Sequence, residues 1–141
     1  MRQLCYMSKA AKFVSEQQLA SLLDQARTNN VKTDVTGMLV HKDDQFVQVI
    51  EGEEAAIEKL YQAIQADGRH SSVRALLDRT IDERDFSEWS MAYEAINSAT
   101  LSTLPGYSEF LSDSEDLSEF LSKPSMVKLF LLFVRDRAYN L

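Results

Sequence analysis

The chain has 141 residues, a net charge of −7, 45% hydrophobic residues and 26% charged residues. This composition is typical of one globular domain, and the negative charge argues against nucleic-acid binding, which needs a basic surface. The single cysteine, Cys5, excludes an internal disulfide. No apolar run at the N-terminus resembles a signal peptide, and none elsewhere reaches the roughly 18 residues of a membrane span. We therefore expect a cytoplasmic protein that binds neither nucleic acid nor membranes.

Strand-like and helix-like segments alternate over the first 96 residues. In the first strand, Leu4, Tyr6 and Ser8 share one face. The predicted elements are, in chain order, a strand at Arg2–Ser8, a helix that Ser15 caps and Asn29–Asn30 ends, strands at Val35–His41 and Gln45–Glu51, a helix at Glu53–Asp67, and strands at Val73–Asp82 and Glu88–Ile96. The order βαββαββ predicts an α+β fold, a ferredoxin-like sandwich with two helices on one sheet face.

A C-terminal extension follows the predicted domain of residues 1–96. Over residues 97–141 the pattern predicts a helical pair, with an acidic helix at Tyr107–Leu121 and a second helix that starts near Pro124. The second helix is apolar on nearly every side from Met126 to Val134, so one packed face will not bury it. We expect it to cover the open face of the sheet, to contact another subunit, or both.

Common motifs for catalysis, nucleotide binding and metal binding are missing from the sequence. It contains no GxGxxG loop, no Walker phosphate loop and no nucleophile elbow. His41, His70 and Cys5 have no metal-ligand spacing. No metal site and no catalytic residue is predicted from these patterns.

A few polar residues interrupt the apolar pattern of the strands. Gln48 lies in the middle of a strand that is predicted to be buried, where an amide without partners costs about 1–3 kcal/mol. By pattern alone, Gln48 is more often a structural glutamine or a residue of an edge strand, and Tyr6 a core tyrosine. The same reasoning interprets Asn29–Asn30 as an ordinary helix end, and Trp89 and Met91 as core residues on one strand face.

Taken in order, these residues belong to six motifs that together resemble one family. The motifs are L-C-Y-x-S at Leu4–Ser8, A-R-x-N-N at Ala26–Asn30, T-G-M-L at Thr36–Leu39, F-V-Q-x-I-E-G-E at Phe46–Glu53, D-x-R-H at Asp67–His70, and R-x-F-x-x-W-S-M at Arg84–Met91. The chain resembles the BLUF family, the blue-light sensors that use FAD, over about residues 2–95. Its form is similar to that of short stand-alone members with C-terminal helices.

The resemblance implies a chromophore and a role for several residues. It implies that FAD lies between the two helices, over the sheet. Tyr6 would be the light-driven electron donor, and Gln48 would hydrogen-bond both Tyr6 and the flavin ring. Asn30 would bind the ring edge with Asn29 nearby. The remaining assignments are Arg69 and His70 at the ribityl or phosphate end, and Trp89 and Met91 beside Gln48 on the last strand.

An acidic protein that binds an anionic dinucleotide needs local positive charge. Candidate residues for this charge are Arg27, Lys32, Arg69 and Arg74. Asp67, in the D-x-R-H motif, completes the predicted cofactor-binding set.

The predicted function is a non-enzymatic photosensor that signals through protein contacts. A light-regulated enzyme is the second hypothesis, but the residues after Ile96 are too few for a cyclase or phosphodiesterase domain. The third hypothesis, a small-molecule-binding or purely structural ferredoxin-like module whose flavin site has decayed, is disfavoured by the presence of Tyr6, Asn30 and Gln48. The expected partners are FAD, further copies of the chain in a homo-oligomer, and a downstream effector protein.

Overall fold

The order of helices and strands is the one that the sequence predicts. The computed structural model describes residues 1–10, 16–42, 45–68, 70–87, 92–95, 127–128 and 131–132. Its elements are β1 (Arg2–Ala10), α1 (Glu16–Thr33), β2 (Thr36–Lys42), β3 (Gln45–Gly52), α2 (Glu54–Ala66), β4 (His70–Thr80) and β5 (Ala92–Ala95). The α+β fold is therefore confirmed, whereas most of the predicted C-terminal helical pair lies outside the described residues.

The sheet has the strand order β4-β1-β3-β2-β5. Strands β1 and β3 are antiparallel neighbours near the centre, and β2 completes the predicted hairpin with β3. Strand β5 runs parallel to β2 at one edge, and the long strand β4 pairs with β1 at the other. The central position of β1 and β3 places their side chains where elements can cover them on both faces.

Both helices pack on the same face of the sheet, as predicted. One core cluster joins Leu4 and Ile50 of the sheet to Leu23 of α1 and Ile57 of α2. Leu4, Ile50 and Ile57 have no exposed surface. Burying each of these side chains contributes about 1.5–3 kcal/mol to the free energy of unfolding. This shared core fixes the two helices over the face of β1 that also carries Tyr6.

Helix α1 is longer than predicted, because Asn29–Asn30 does not end it. The helix continues to Thr33, and Asp34 then adopts a left-handed conformation with φ 54°. The Val35 N–H donates to the Asn30 carbonyl at 2.9 Å, and the Asp34 N–H to the Val31 carbonyl at 3.5 Å. This pair of bonds forms a Schellman motif, in which the left-handed residue is usually glycine. The prediction of a stop at Asn29–Asn30 was therefore wrong.

Helix α2 matches its prediction within one residue at each end. Glu53 and Asp67 are its N-cap and C-cap residues, and Ile57 is its fully buried position. The predicted apolar face also holds, since Leu60, Tyr61 and Ile64 pack partly buried against the core cluster.

Strand β4 differs from its prediction because it is bulged. It spans His70–Thr80 instead of Val73–Asp82, and its register against β1 shifts between Cys5 and Tyr6 and again between Met7 and Lys9. Ser72, near the second shift, has a φ of 54°. An extra residue at each bulge breaks the period of two on which the strand prediction depends. For β5, residues 88–91 of the predicted strand lie outside the described residues.

The sheet face opposite the two helices is also buried. Cys5, Met38, Val40 and Val49 on this face have no exposed surface. In the described part of the last helix, Val127 and Leu131 are buried as well. That this helix covers the face stays a prediction, as does the division of the chain after residue 96. Among the described residues, no helix is long and apolar enough to cross a membrane.

Candidate functional site

Tyr6 and Gln48 lie directly opposite each other on the two central strands. The register of β1 against β3 pairs them, and the Tyr6 hydroxyl donates a hydrogen bond to Gln48 Oε1. Only 3% of Tyr6 is exposed, and Gln48 is half-buried. Gln48 is therefore neither on an edge strand nor without a partner, and the pattern-based alternative of an edge position is wrong.

The surroundings of Tyr6 keep its phenol protonated. Burial raises the pKa of Tyr6 far above its usual value, and Cys5, Asp67 and Tyr61 raise it further through their charges. The Tyr61 ring on α2 lies 6.0 Å from the Tyr6 ring, centroid to centroid, at an angle of 46°. Tyr6 therefore keeps its proton in a buried position on β1, where its ring contacts helix α2 through Tyr61.

The hydrogen bond between Tyr6 and Gln48 can form in either direction, with the hydroxyl as donor or as acceptor. A tyrosine hydroxyl donates or accepts, and a glutamine amide has one accepting oxygen and one donating nitrogen. In the structure the amide oxygen faces the hydroxyl. A rotated amide would present its NH₂ group, and the hydroxyl oxygen would accept. The pair therefore has two discrete arrangements that differ in what the amide offers to a third group.

The two adjacent asparagines of α1 have different environments. Asn30 is 2% exposed, whereas Asn29 is exposed. Asn30 follows the core residue Leu23 by seven residues, or about two helical turns, so the two side chains lie on the same face of the helix. The structure therefore places Asn30, and not Asn29, on the side of α1 that faces the sheet.

The predicted charged residues that the structure describes lie on α1, at the end of α2 and on β4. Arg27, Lys32 and Arg74 are exposed, and Asp67 caps the C-terminal end of α2 with its N–H bonded to the Ile64 carbonyl at 3.1 Å. Three predicted site residues, Arg69, Trp89 and Met91, lie outside the described residues, and so does the side chain of His70. Within the described residues no group of His, Cys, Asp and Glu has the arrangement of a metal site.

The sequence reasoning missed a buried polar network next to this site. Glu51 is fully buried at the end of β3, where Gln3 Nε2 and the backbone N–H groups of Asp85 and Phe86 donate to its carboxylate at 2.7–2.9 Å. Arg79 donates to Gln3 Oε1 at 2.7 Å. The sequence signal for this network was an acidic residue near the end of a strand that is predicted to be buried, because a buried carboxylate needs hydrogen-bond donors.

A second missed residue, Arg84, lies in the segment between β4 and β5. Its guanidinium donates to the Asp34 carbonyl at 2.8 Å and to Thr36 Oγ1 at 3.0 Å. It also contacts the Glu51 carbonyl at 3.4 Å and the Asp34 carboxylate at 3.2 Å. The first position of the R-x-F-x-x-W-S-M motif therefore holds the end of α1 and the start of β2.

Comparison with known proteins identifies one family. Residues 1–92 match BLUF, described as sensors of blue-light using FAD. The chain is 32% identical over 110 residues to the beta subunit of the photoactivated adenylate cyclase of Euglena gracilis, and 34% identical over 109 residues to the alpha subunit. These matches cover 77% of this chain but 13% and 11% of the cyclase subunits.

Solved structures have the same architecture. The dark-state structure of BlrB, a BLUF protein, matches with a TM-score of 0.75 and 26% identity, over 99% of this chain and 96% of BlrB. The ground-state structure of BlsA matches with a TM-score of 0.77 and 31% identity, over 94% of this chain and 87% of BlsA. The match to the cyclase subunits is confined to a small part of their length, whereas BlrB and BlsA match this chain over most of theirs.

Proposed function

The chain belongs to the BLUF family, whose members bind a flavin and sense blue light, and from that membership we propose that it is a photoreceptor that binds FAD non-covalently. In this proposal, Tyr6 is the electron donor and the Gln48 hydrogen bonds are the switch. The observation that carries the proposal is the hydrogen bond between Tyr6 and Gln48, two residues that stand opposite each other under α1 and α2.

The polar groups of the described residues fit a flavin ring. A flavin presents carbonyl acceptors and an N–H donor along one ring edge. The Gln48 amide has both a donor and an acceptor, and Asn30 adds a second amide on the sheet-facing side of α1. Exposed basic side chains at Arg27, Lys32 and Arg74 suit the phosphates of FAD. We assign these residues, with Gln48 nearest to Tyr6, as the ones that hold the cofactor.

The bound flavin would supply the absorption of blue light and an excited state that accepts an electron. Tyr6 suits the role of donor because its phenol is buried and protonated, so the ring can supply an electron while the hydroxyl supplies a proton. Gln48 suits the role of switch because its amide can turn either its oxygen or its NH₂ group toward the Tyr6 hydroxyl. Rotation or tautomerisation of the amide changes the hydrogen bonds offered to the ring without a new covalent bond. A rearrangement of this kind is a discrete event in a packed core and not a gradual deformation.

Absorption spectra of the purified protein, recorded in the dark and after blue light, test the proposal. We expect a flavin spectrum that moves reversibly to the red under light. Extraction of the bound flavin and its separation by chromatography would distinguish FAD from FMN. A bound flavin whose spectrum does not respond to light, or a protein that fails to take up added FAD, would refute the proposed function.

The output of the receptor is proposed to pass through protein contacts. We propose a cytoplasmic homo-oligomer that acts on a separate effector, with the apolar last helix as part of the contact surface. Val127 and Leu131 of this helix are buried within the chain, so the contact would be made by its other apolar residues. The apolar sequence from Met126 to Val134 supports this assignment. Light scattering of the full chain, in the dark and under illumination, tests the self-association, and a monomer in both states would refute it. Fractionation of cells tests the location, and recovery with the membrane fraction would contradict it.

A further inference from the structure

We infer that Glu51 and Arg84 are positioning residues that clamp residues 81–87 to the photochemical site and carry its rearrangement toward β5. The inference rests on the proposed function, because it takes the Tyr6–Gln48 pair as the origin of the change. The clamp is defined as Glu51, Arg84 and the groups that they bind within the described residues.

Glu51 holds the segment through its backbone. The Asp85 N–H donates to one carboxylate oxygen at 2.9 Å, and the Phe86 N–H donates to the other at 2.8 Å. Gln3 on β1 donates to the first oxygen at 2.7 Å, so the carboxylate also joins β3 to β1. Bonds of this kind between N–H groups and a buried carboxylate are about twice as strong as neutral ones. The segment is therefore fixed to β3 at two consecutive residues.

Arg84 holds the same segment to a different element. Its side chain is only 12% exposed, and its two terminal nitrogens reach Asp34, Thr36 and the Glu51 carbonyl. Asp34 is the left-handed residue that ends α1, four residues after Asn30. A planar guanidinium satisfies several acceptors in a fixed geometry, which a lysine cannot reproduce. The segment is therefore also fixed to the end of the helix that carries Asn30.

The position of Glu51 connects the clamp to the switch. Gln48 and Glu51 belong to one strand and are three residues, or roughly 10 Å, apart. Successive side chains of a strand alternate between faces, so Gln48 faces the helices and Glu51 faces the opposite side. A displacement of β3 at Gln48 is thus transmitted along a single strand to a carboxylate that holds Asp85 and Phe86.

The segment precedes β5 in the sequence. Residues 81–87 precede Trp89 and Met91 in the sequence, and β5 then pairs in parallel with β2 from Met38↔Ala92 onward. Three elements of the site, β1, β3 and the end of α1, are therefore joined to one segment that ends four residues before β5 in the sequence. A continuous network of hydrogen bonds and packed elements of this kind can carry coupling between two sites.

Glu51→Gln tests the clamp with almost no change of shape. The amide keeps one accepting oxygen but presents its NH₂ group to an N–H donor, so at least one of the three bonds is lost. Glu58→Gln is the matched control, because it makes the same substitution at a half-exposed carboxylate on α2 that bonds Arg2. Arg84→Lys is the second variant, in which charge is kept and the planar geometry is lost.

The measurement is amide hydrogen exchange in the dark and under blue light, combined with the flavin absorption shift. In the flavin-free protein, Glu51→Gln should speed exchange at Asp85 or Phe86 roughly tenfold or more, while Glu58→Gln leaves it unchanged. In the flavin-loaded parent, illumination should change exchange over residues 81–87 and in β5. Glu51→Gln and Arg84→Lys should retain the absorption shift and lose most of the light-dependent change in β5.

The outcomes separate the clamp from the proposed function. A parent protein without an absorption shift would refute the photoreceptor function itself. A parent with a normal shift but identical exchange over residues 81–87 in dark and light would overturn the clamp. A full light-dependent change in β5 in the Glu51 variant would overturn it too. If Glu51→Gln does not fold, the parent and Arg84→Lys decide by the same criteria.

Discussion

Replacing Tyr6 with phenylalanine removes one buried hydroxyl and leaves the ring in place. The lost bond is the one to Gln48 Oε1, and the ring keeps its contact with Tyr61 at 6.0 Å between centroids. A typical hydrogen bond contributes about 0.5–1.5 kcal/mol to the free energy of unfolding. Because Gln48 is half-buried, water can replace part of the bond, so we expect a loss of about 1 kcal/mol. The melting temperature should fall by roughly 2–5 °C.

Tyr6→Phe should therefore fold and still bind flavin, but lose the reversible red shift. The assay records a thermal melt and light-minus-dark spectra on one preparation. Tyr61→Phe is the matched control. It also removes a hydroxyl from a tyrosine ring, but Tyr61 takes no part in the hydrogen bond between Tyr6 and Gln48. The control should keep the shift. A normal photocycle in Tyr6→Phe would refute the assigned role of Tyr6, because the phenylalanine has no hydroxyl proton to give and its ring is harder to oxidise than a phenol.

Three further predictions address the switch, the salt bridges and the sheet. Gln48→Leu should keep flavin bound and abolish the red shift, and a light-responsive spectrum in this variant would show that the amide is not the switch. The Arg2 guanidinium lowers the pKa of Asp78 below its usual 3.8, so this interaction stabilises the fold above that pH and is lost as the pH falls through the lowered pKa. Chemical unfolding measured between pH 6 and pH 2 should then show that the free energy of unfolding falls less with decreasing pH in Asp78→Asn than in the parent. An equal dependence on pH in the two proteins would contradict this. Gly37→Ala should lower the free energy of unfolding by about 1–3 kcal/mol or more, because its new Cβ would collide with the Val49 carbonyl oxygen. Unchanged denaturant midpoints would show that β2 and β3 separate at little cost.

The end of α1 shows where local patterns lose their predictive value. An asparagine pair is a common helix end, whereas an aspartate in the left-handed conformation is an unusual one. Asp34 adopts it where the Arg84 guanidinium, 50 residues later in the chain, binds both its carbonyl and its carboxylate. A contact at that sequence separation leaves no trace in the periodicity of the helix. The same ending keeps Asn30 inside the helix, on the face that the candidate site needs.

The Tyr6–Gln48 pair shows the opposite case. The period of two along a strand predicted which face each side chain of β1 and β3 takes, and the hairpin made β3 a neighbour of β2. Pattern reasoning left Gln48 as a structural or edge-strand residue, and the resemblance to BLUF supplied its partner. The register Tyr6↔Gln48 then confirmed that the two face each other.

By itself, the sequence determined the order of elements, the faces of the helices and strands, and the family, because these depend on local periodicity and on short motifs. The tertiary structure alone decided the clamp at Glu51 and Arg84, the true end of α1 and the bulges of β4. Each of these depends on groups that are far apart in the chain. A buried carboxylate or guanidinium is stable only when such groups surround it, and that arrangement exists only after the strands and helices have packed.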